Sequence, residues 1–125
     1  MGGRGAFMEK GGFTVYDFEA VRYVEGIKVL EPKKKDDSFK APVRSNTPST
    51  SYIRVAKDGK SAMLRVYGQD RFPLIDYEYG KHKDGKKTWH VQTWKDGVRQ
   101  EDHRPMTTKE KKRYARLFKK AGLKL

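Results

Sequence analysis

The sequence predicts a single α+β domain: an antiparallel β-sheet of four to six strands in a meander, with a C-terminal basic α-helix packed on one face. Between residues 51 and 94, apolar side chains recur at every second position in segments separated by turn signals, which is typical of hairpin-linked strands. After residue 106 the apolar spacing becomes three and four residues, the period of an amphipathic helix. A chain of 125 residues has the size of one domain, so we expect the sheet and the helix to share a core.

The strand segments of the meander divide into two faces. Ser51–Lys57 and Ser61–Tyr67 flank Asp58-Gly59, a strong hairpin signal, and Leu74–Tyr79 and Thr88–Trp94 follow. Because successive strand residues point to opposite sides of a sheet, one side is predicted to be apolar and to face the helix. That side carries Ile53, Val55, Leu64, Val66, Ile75, Tyr77, Tyr79, Trp89 and Val91.

A further hairpin is predicted near the N-terminus. Ala20–Val24 and Ile27–Glu31 alternate in polarity around the turn signal Glu25-Gly26. Before them, residues 13–18 fit a strand and a helical turn equally well. Residues 1–12 are rich in glycine and are interpreted as a flexible leader, because glycine is costly to order.

Residues 32–50 are predicted to form a long surface loop. They contain three of the five prolines and a lysine run at 33–35, and connections of this length are usually functional or disordered. The lysine run is interpreted either as a solvated surface or as a contact to phosphates. The domain proper is therefore expected to span residues 13–125, with this loop inside it.

The C-terminal helix is predicted for residues 107–121. Thr107 and Glu110 have the spacing of a capping box, and Gly122 is a typical C-terminal stop. Positions 114, 117, 118 and 121 form one apolar stripe. The rest of the helix surface carries cations that are predicted to bind nucleic acid, namely Lys112, Arg113, Arg116, Lys119 and Lys120.

The charge is strongly positive and unevenly distributed. The net charge is +13; residues 81–125 hold 15 Lys and Arg against 5 Asp and Glu, whereas residues 1–80 hold 14 against 11. Such an asymmetry favours a polyanionic partner, either nucleic acid or an acidic protein surface. There is no cysteine, no apolar run long enough to span a membrane and no apolar signal core at the N-terminus, so the cytoplasm is the expected location.

The polar side of the meander suggests RNA cleavage that needs no metal ion. Histidine titrates near neutrality and a carboxylate accepts protons, so the two together can move the protons of a phosphoryl transfer. Arginine stabilises the charge that develops on the phosphorus oxygens. The predicted catalytic residues share this side: His90 acts with Glu78, or alternatively with Asp76, as acid and base, and Arg54 and Arg65 bind the phosphate. The alternative is a solvated polar face with cross-strand ion pairs.

Other chemistry finds less support in the residues. The spacings of His82, His90 and His103 match no standard zinc pattern. A site of His82, His90 and Asp76 is geometrically conceivable, but no cofactor is expected. His103 is interpreted as a surface ion-pair residue in a loop, or as part of a loop that swings over a site. Trp94 is predicted to point to the opposite face of the strand from Trp89, which is predicted to lie in the core. Trp94 is expected to cover the sheet edge or to stack on a base or a guanidinium.

One part of the sequence resembles a known motif. Ile75-Asp76-Tyr77 followed by residues 89–97, WHVQTWKDG, is similar to a motif of small C-terminal modules in the minor head proteins of Firmicutes phages and in related toxin-like chains. There, a strand with IDY is followed by a loop rich in Gly, His and Lys, by PHVHxW and by a basic tail. His90 matches the first histidine of that motif, Gln92 replaces the second and Trp89 replaces the proline. Over about residues 52–114, the resemblance implies a nuclease-like effector that retains one histidine of the pair.

Taken together, these observations predict a phage-associated, basic nucleic-acid-binding domain. One hypothesis is a metal-independent ribonuclease that uses the His90–carboxylate pair, with RNA favoured over DNA. The alternatives are a non-catalytic binding module that uses the helix cations and Trp94, and a phage-encoded inhibitor that docks on a nucleic-acid-handling machine. The chain is expected to act as a monomer, in the host cytoplasm or in the virion.

Overall fold

The structure, a computed structural model, describes residues 7–8, 18–32, 41–45, 47–81 and 86–125. Much of the predicted leader, residues 13–17, the lysine run at 33–35 and His82 lie outside the described residues. The elements in the described part are β1 (Phe7–Met8), β2 (Phe18–Val24), β3 (Ile27–Pro32), β4 (Arg44–Ser45), β5 (Ser51–Val55), β6 (Ala62–Tyr67), β7 (Pro73–Lys81), β8 (Lys87–Lys95), β9 (Val98–Pro105) and α1 (Thr108–Ala121).

The main sheet confirms the predicted α+β class and has seven strands in the order β2-β3-β5-β6-β7-β8-β9. Every neighbouring pair is antiparallel except β3 and β5, which run parallel. The sheet is therefore mixed and has one strand more than the upper predicted number. A parallel pair needs a connection of a dozen or more residues, and residues 33–50 lie between the two strands in the sequence. The two remaining described strands, β1 and β4, pair with each other.

Local sequence signals account for the β2–β3 hairpin and for the meander. The first hairpin, β2–β3, turns at Glu25 and Gly26, whose φ angles are 49° and 82°. Two consecutive positive φ angles define a type I′ turn, which matches the twist of the flanking strands. The meander from β5 to β8 has the predicted order and alternation.

Strand β9 is a feature that the sequence prediction missed. Asp96 and Gly97, with φ angles of 50° and 77°, form a second type I′ turn, and the chain continues from it into β9 along the edge of the sheet. The residues of β9 are almost all polar, VRQEDHRP, which is unlike the β-branched and aromatic composition of a typical strand. Its pairing with β8 also shifts register between Gln92 and Trp94, which interrupts the alternation.

Helix α1 covers one face of the sheet, as predicted. Thr107 and Glu110 form the capping box, and Gly122 ends the helix at φ 118°. Tyr114 stacks on Tyr77 with ring centroids 4.2 Å apart. The buried core between sheet and helix includes Val24, Val29, Ile53, Ala62, Leu64, Val91, Met106, Tyr114, Leu117, Phe118, Ala121 and Leu123.

The other face of the sheet is covered in part by residues 41–45. Tyr67 donates its hydroxyl proton to the carbonyl of Pro42, and a 2.8 Å hydrogen bond joins the hydroxyls of Ser45 and Tyr52. Ala41 and Ser45 are buried, so this part of the predicted surface loop packs on the sheet. A second small apolar cluster, of Leu30, Tyr52 and Tyr67, lies on the same face.

Candidate active site

The predicted polar residues share one face of the sheet. Arg65 lies opposite Asp76 in the β6–β7 register, and Glu78 lies opposite His90 in the β7–β8 register. Residues that are directly opposite in antiparallel strands project to the same side. Since Trp89, the neighbour of His90, stacks on Phe118 of the helix, the polar residues project away from α1.

Arg65 and Asp76 form a buried network with Trp94. The guanidinium of Arg65 donates to both carboxylate oxygens of Asp76 at 2.7 and 3.0 Å, and to the carbonyls of Ala41 and Pro42 at 3.2 Å each. Trp94 donates its indole N–H to Asp76 at 2.9 Å. Only 1% of Asp76 and 7% of Arg65 are exposed. Burial acts to lower the pKa of Arg65, but the hydrogen bonds and the charge of Asp76 outweigh it, so the pKa is raised overall.

Arg54 is also buried, two strands away from Glu78. It is 4% exposed, it donates to the carbonyl of Leu30 at 3.0 Å, and its guanidinium lies over the ring of Phe18 at 5.7 Å. Thus Arg54 and Arg65, which were predicted to bind phosphate, donate to acceptors within the protein. Asp76, predicted as an alternative to Glu78, is likewise occupied by Arg65 and Trp94. Their contacts indicate that these three residues hold the sheet face together.

Glu78 and His90 form a second, more accessible group. Nε2 of His90 lies 2.8 Å from Oε2 of Glu78, and Nδ1 of His90 lies 3.1 Å from the hydroxyl oxygen of Thr88. The side chains of His90 and Glu78 are 12% and 17% exposed. Both ring nitrogens of His90 are therefore hydrogen-bonded, and the imidazole is held in one orientation.

Arg99 and His103 on the neighbouring strand β9 complete this group. Nη2 of Arg99 lies 3.6 Å from Oε2 of Glu78, and the Arg99 side chain is 53% exposed. The ring centroid of His103, an exposed residue, lies 6.1 Å from that of His90. We call Glu78, His90, Arg99 and His103 the site cluster.

The carboxylate of Glu78 is ionised at neutral pH. Burial acts to raise its pKa, but the hydrogen bond from His90 and the charges of His90 and Arg99 outweigh the burial, and the pKa falls below its ordinary value of 4.5. A partly buried carboxylate that is held by an imidazole and a guanidinium can accept a proton from a bound substrate.

Arg99 and His103 were not among the predicted site residues because β9 was not predicted. His103 was interpreted as a loop residue, whereas it lies within β9 opposite Gln92. One signal was present: Asp96-Gly97 follows a strand-like segment, and such a dipeptide predicts a hairpin with a further strand after it. On that strand Arg99 and His103 share a parity, and hence a face.

The predicted nucleic-acid-binding cations of α1 lie on the opposite side of the sheet from the site cluster. All of them are exposed: Lys112, Arg113, Arg116, Lys119 and Lys120. Arg116 and Lys120 contact the carboxylate of Glu25 at 3.1 and 3.2 Å. Trp94, the other predicted contact, lies on the site-cluster side. The predicted interface is therefore divided between two surfaces that are separated by the sheet.

Within the described residues, no group of three or more His, Asp or Glu side chains is arranged to hold a metal ion. In the same part of the chain, no helix has the length and apolar character needed to cross a membrane.

The chain was compared with known proteins in three ways. No family model matches it, and neither the curated proteins nor the solved structures include a chain with significant similarity to it.

Proposed function

We propose that this domain cleaves RNA at the site cluster without the help of a metal ion. The observation that supports this proposal is the 2.8 Å contact between Glu78 and His90, with Arg99 and His103 beside it on β9. A base, an acid and a cation on adjacent strands are the groups that internal cleavage of RNA requires. Action in the cytoplasm of a phage-infected cell would agree with the resemblance to phage head-protein modules.

In the proposed reaction the 2′-hydroxyl oxygen of a nucleotide attacks the adjacent phosphorus. Glu78 takes the hydroxyl proton as the new O–P bond forms. The bond from phosphorus to the 5′-oxygen breaks, and His103 donates a proton to that leaving oxygen. The products are a 2′,3′-cyclic phosphate and a 5′-hydroxyl, so no water or other co-reactant is consumed. Arg99 neutralises the charge on the non-bridging oxygens.

His90 acts on Glu78 in this proposal. An ionised carboxylate only accepts hydrogen bonds, so Nε2 of His90 donates to it. The hydroxyl of Thr88 then fixes the other ring nitrogen. His90 therefore orients Glu78 and keeps it ionised, so that it is ready to accept the proton, while Arg99 takes the phosphate-binding role that had been predicted for Arg54 and Arg65.

The test uses an RNA oligonucleotide and a DNA oligonucleotide of the same sequence, each with and without EDTA. We expect cleavage of the RNA alone, unchanged by EDTA, with 2′,3′-cyclic phosphate ends. Glu78→Gln and His103→Ala are each expected to lower the rate by about 10²- to 10⁴-fold, the range of general acid–base catalysis. Glu19→Gln, an exposed glutamate of β2, is the matched control. RNA that stays intact, or Glu78→Gln cleaving at the native rate, would refute the proposal.

A second candidate function is polyanion binding by α1, and a separate observation favours it. Lys109, Lys112, Arg116 and Lys119 follow one another at intervals of three and four residues along the side of the helix opposite the buried stripe. At 1.5 Å per residue this ridge is about 15 Å long. A phosphate backbone laid along it would release counterions, so binding would weaken steeply with salt.

A salt titration tests this second function. Replacing two ridge lysines in the double variant Lys112→Ala, Lys119→Ala should reduce the slope of log affinity against log salt by about 1.4 on single strands, because each neutralised phosphate contributes about 0.7. The matched control is Lys57→Ala, Lys60→Ala, in the exposed β5–β6 turn. Equal slopes for the two double variants would exclude α1 as the nucleic-acid surface and would favour docking on a protein.

A further inference from the structure

We infer that Trp94 is a base-stacking subsite beside the site cluster, and that the RNA which this site accepts is unpaired. This inference rests on the proposed RNA cleavage and adds the class of substrate to it. Trp94 is one of two tryptophans in the chain. It is half-buried and lies on the same face of the sheet as Glu78 and His90.

The ring of Trp94 is held in place by two buried residues of the sheet, Asp76 and Arg65. Its indole N–H donates to Asp76 at 2.9 Å, and the guanidinium of Arg65 lies 4.8 Å from the ring centroid. Both partners are buried and hydrogen-bonded to each other, and Arg65 also donates to the carbonyls of Ala41 and Pro42. A ring that is fixed in this way loses little conformational freedom when a ligand stacks on it, because its orientation is already set.

Trp94 lies next to Arg99, so a base on its ring would be close to the site cluster. The two residues are direct partners in the β8–β9 register, so their Cβ atoms are about 5 Å apart. Arg99 in turn contacts Glu78 at 3.6 Å. Arg99 on β9 is thus the register partner of Trp94 on β8 and also contacts Glu78 on β7. A base that stacks on Trp94 brings its own phosphate to Arg99 and the adjoining ribose towards Glu78.

Stacking on a side chain requires a base that has left its own stack. In a duplex both faces of each base are covered by neighbouring bases, whereas the splayed bases of single strands and loops can lie on an aromatic ring. Every base has a π-face, so this contact tolerates different sequences. The chemistry of the subsite therefore selects unpaired RNA with little preference for the base.

Binding is measured with a fully 2′-O-methylated oligonucleotide, which lacks the attacking hydroxyl and so separates binding from cleavage. In a Trp89→Phe chain the remaining tryptophan is Trp94, and its fluorescence reports stacking directly. We expect quenching by the single strand and none by the blunt-ended duplex that the same strand forms with its 2′-O-methylated complement. Trp94→Ala should weaken single-strand binding by about 5- to 150-fold, and Trp94→Phe should retain most of the affinity.

The outcomes separate this inference from the proposed cleavage. Single-strand binding without quenching, quenching that the duplex reproduces, or no binding at all would overturn the subsite. The fluorescence measurement does not replace Trp94, so a poorly folded Trp94→Ala chain would not decide the question. If quenching is seen but natural RNA is not cleaved, the stacking subsite stands and the proposed cleavage fails. If RNA is cleaved but quenching is absent, the reverse holds.

Discussion

Arg65 and Asp76 face each other across β6 and β7 and form a doubly hydrogen-bonded ion pair that is almost completely removed from solvent. This pair also binds Trp94 and the carbonyls of Ala41 and Pro42. The sheet face opposite the helix therefore also contains buried residues, and polar contacts hold them together. The crossover between β3 and β5 is fastened to the sheet by this network.

Asp76→Asn is expected to destabilise the protein by about 3–5 kcal/mol, because it leaves the buried guanidinium of Arg65 without its countercharge. Urea unfolding at pH 7 measures the loss. The control is Glu25→Gln, which removes the exposed contacts to Arg116 and Lys120 and should shift the unfolding midpoint much less, since exposed pairs are screened by solvent. Equal shifts in the two variants would show that burial does not set the strength of the Arg65–Asp76 pair.

The fold could be predicted where its signals are local. Strands β5 to β8 follow one another through short turns, so alternation and turn residues were sufficient to predict them. The pairing of β3 with β5 could not be predicted in this way, because the intervening crossover carries no signal for where the chain returns. Strand β9 was missed because Arg99, Gln100 and Glu101 have no apolar side that would mark a strand.

The candidate site shows the same division. The alternation of side chains along each strand predicted that Glu78 and His90 share a face, and their register confirms it. This alternation does not predict which other residues cover that face, however. The burial of Arg54 and Arg65 depends on Leu30, Ala41 and Pro42, which are far from them in sequence, so their engagement could only be seen in the folded chain.

Gly97→Ala is expected to destabilise the protein more than Gly26→Ala. Both glycines have positive φ angles, 77° and 82°, and forcing alanine into that region costs about 1–2 kcal/mol. At Gly26 an added Cβ would meet no atom within 4 Å, whereas at Gly97 it would lie 3.3 Å from Cδ1 of Phe72. Only the second substitution therefore also displaces a ring, and it does so in the turn that leads to β9.

Unfolding free energies of the two glycine variants measure the difference, and Phe72→Leu identifies its cause. In a double-mutant cycle, Phe72→Leu should relieve part of the penalty of Gly97→Ala and none of that of Gly26→Ala. If Gly26→Ala proved as destabilising as Gly97→Ala, the backbone conformation alone would explain both values and the contact with Phe72 would carry no energy.

The contribution of Glu110 to stability is expected to disappear as the pH falls from about 4.5 to 2. Glu110 accepts two hydrogen bonds from Arg104, at 2.7 and 3.0 Å, and one from the backbone N–H of Thr107 at 2.9 Å. The bonds from Arg104, followed by the N–H of Thr107, lower the pKa of Glu110 from 4.5 to about 2. A carboxyl whose pKa is lower in the folded state stabilises that state fully above its unfolded pKa, and it loses the effect as the folded form takes up the proton.

Glu110→Gln isolates this charge, because glutamine can still accept the bond from Thr107 in a capping box. The melting temperature of the native chain should exceed that of Glu110→Gln at pH 6, and the gap should narrow below pH 4.5 and close near pH 2. Other titrating groups are common to both chains and cancel in the difference.

Thr107→Ala is the control, since it removes the uncharged hydroxyl of the cap at a cost of about 1 kcal/mol, and part of its effect should persist at pH 2. A gap for Glu110→Gln that stays constant down to pH 2 would mean that the charge of the carboxylate does not stabilise the start of α1.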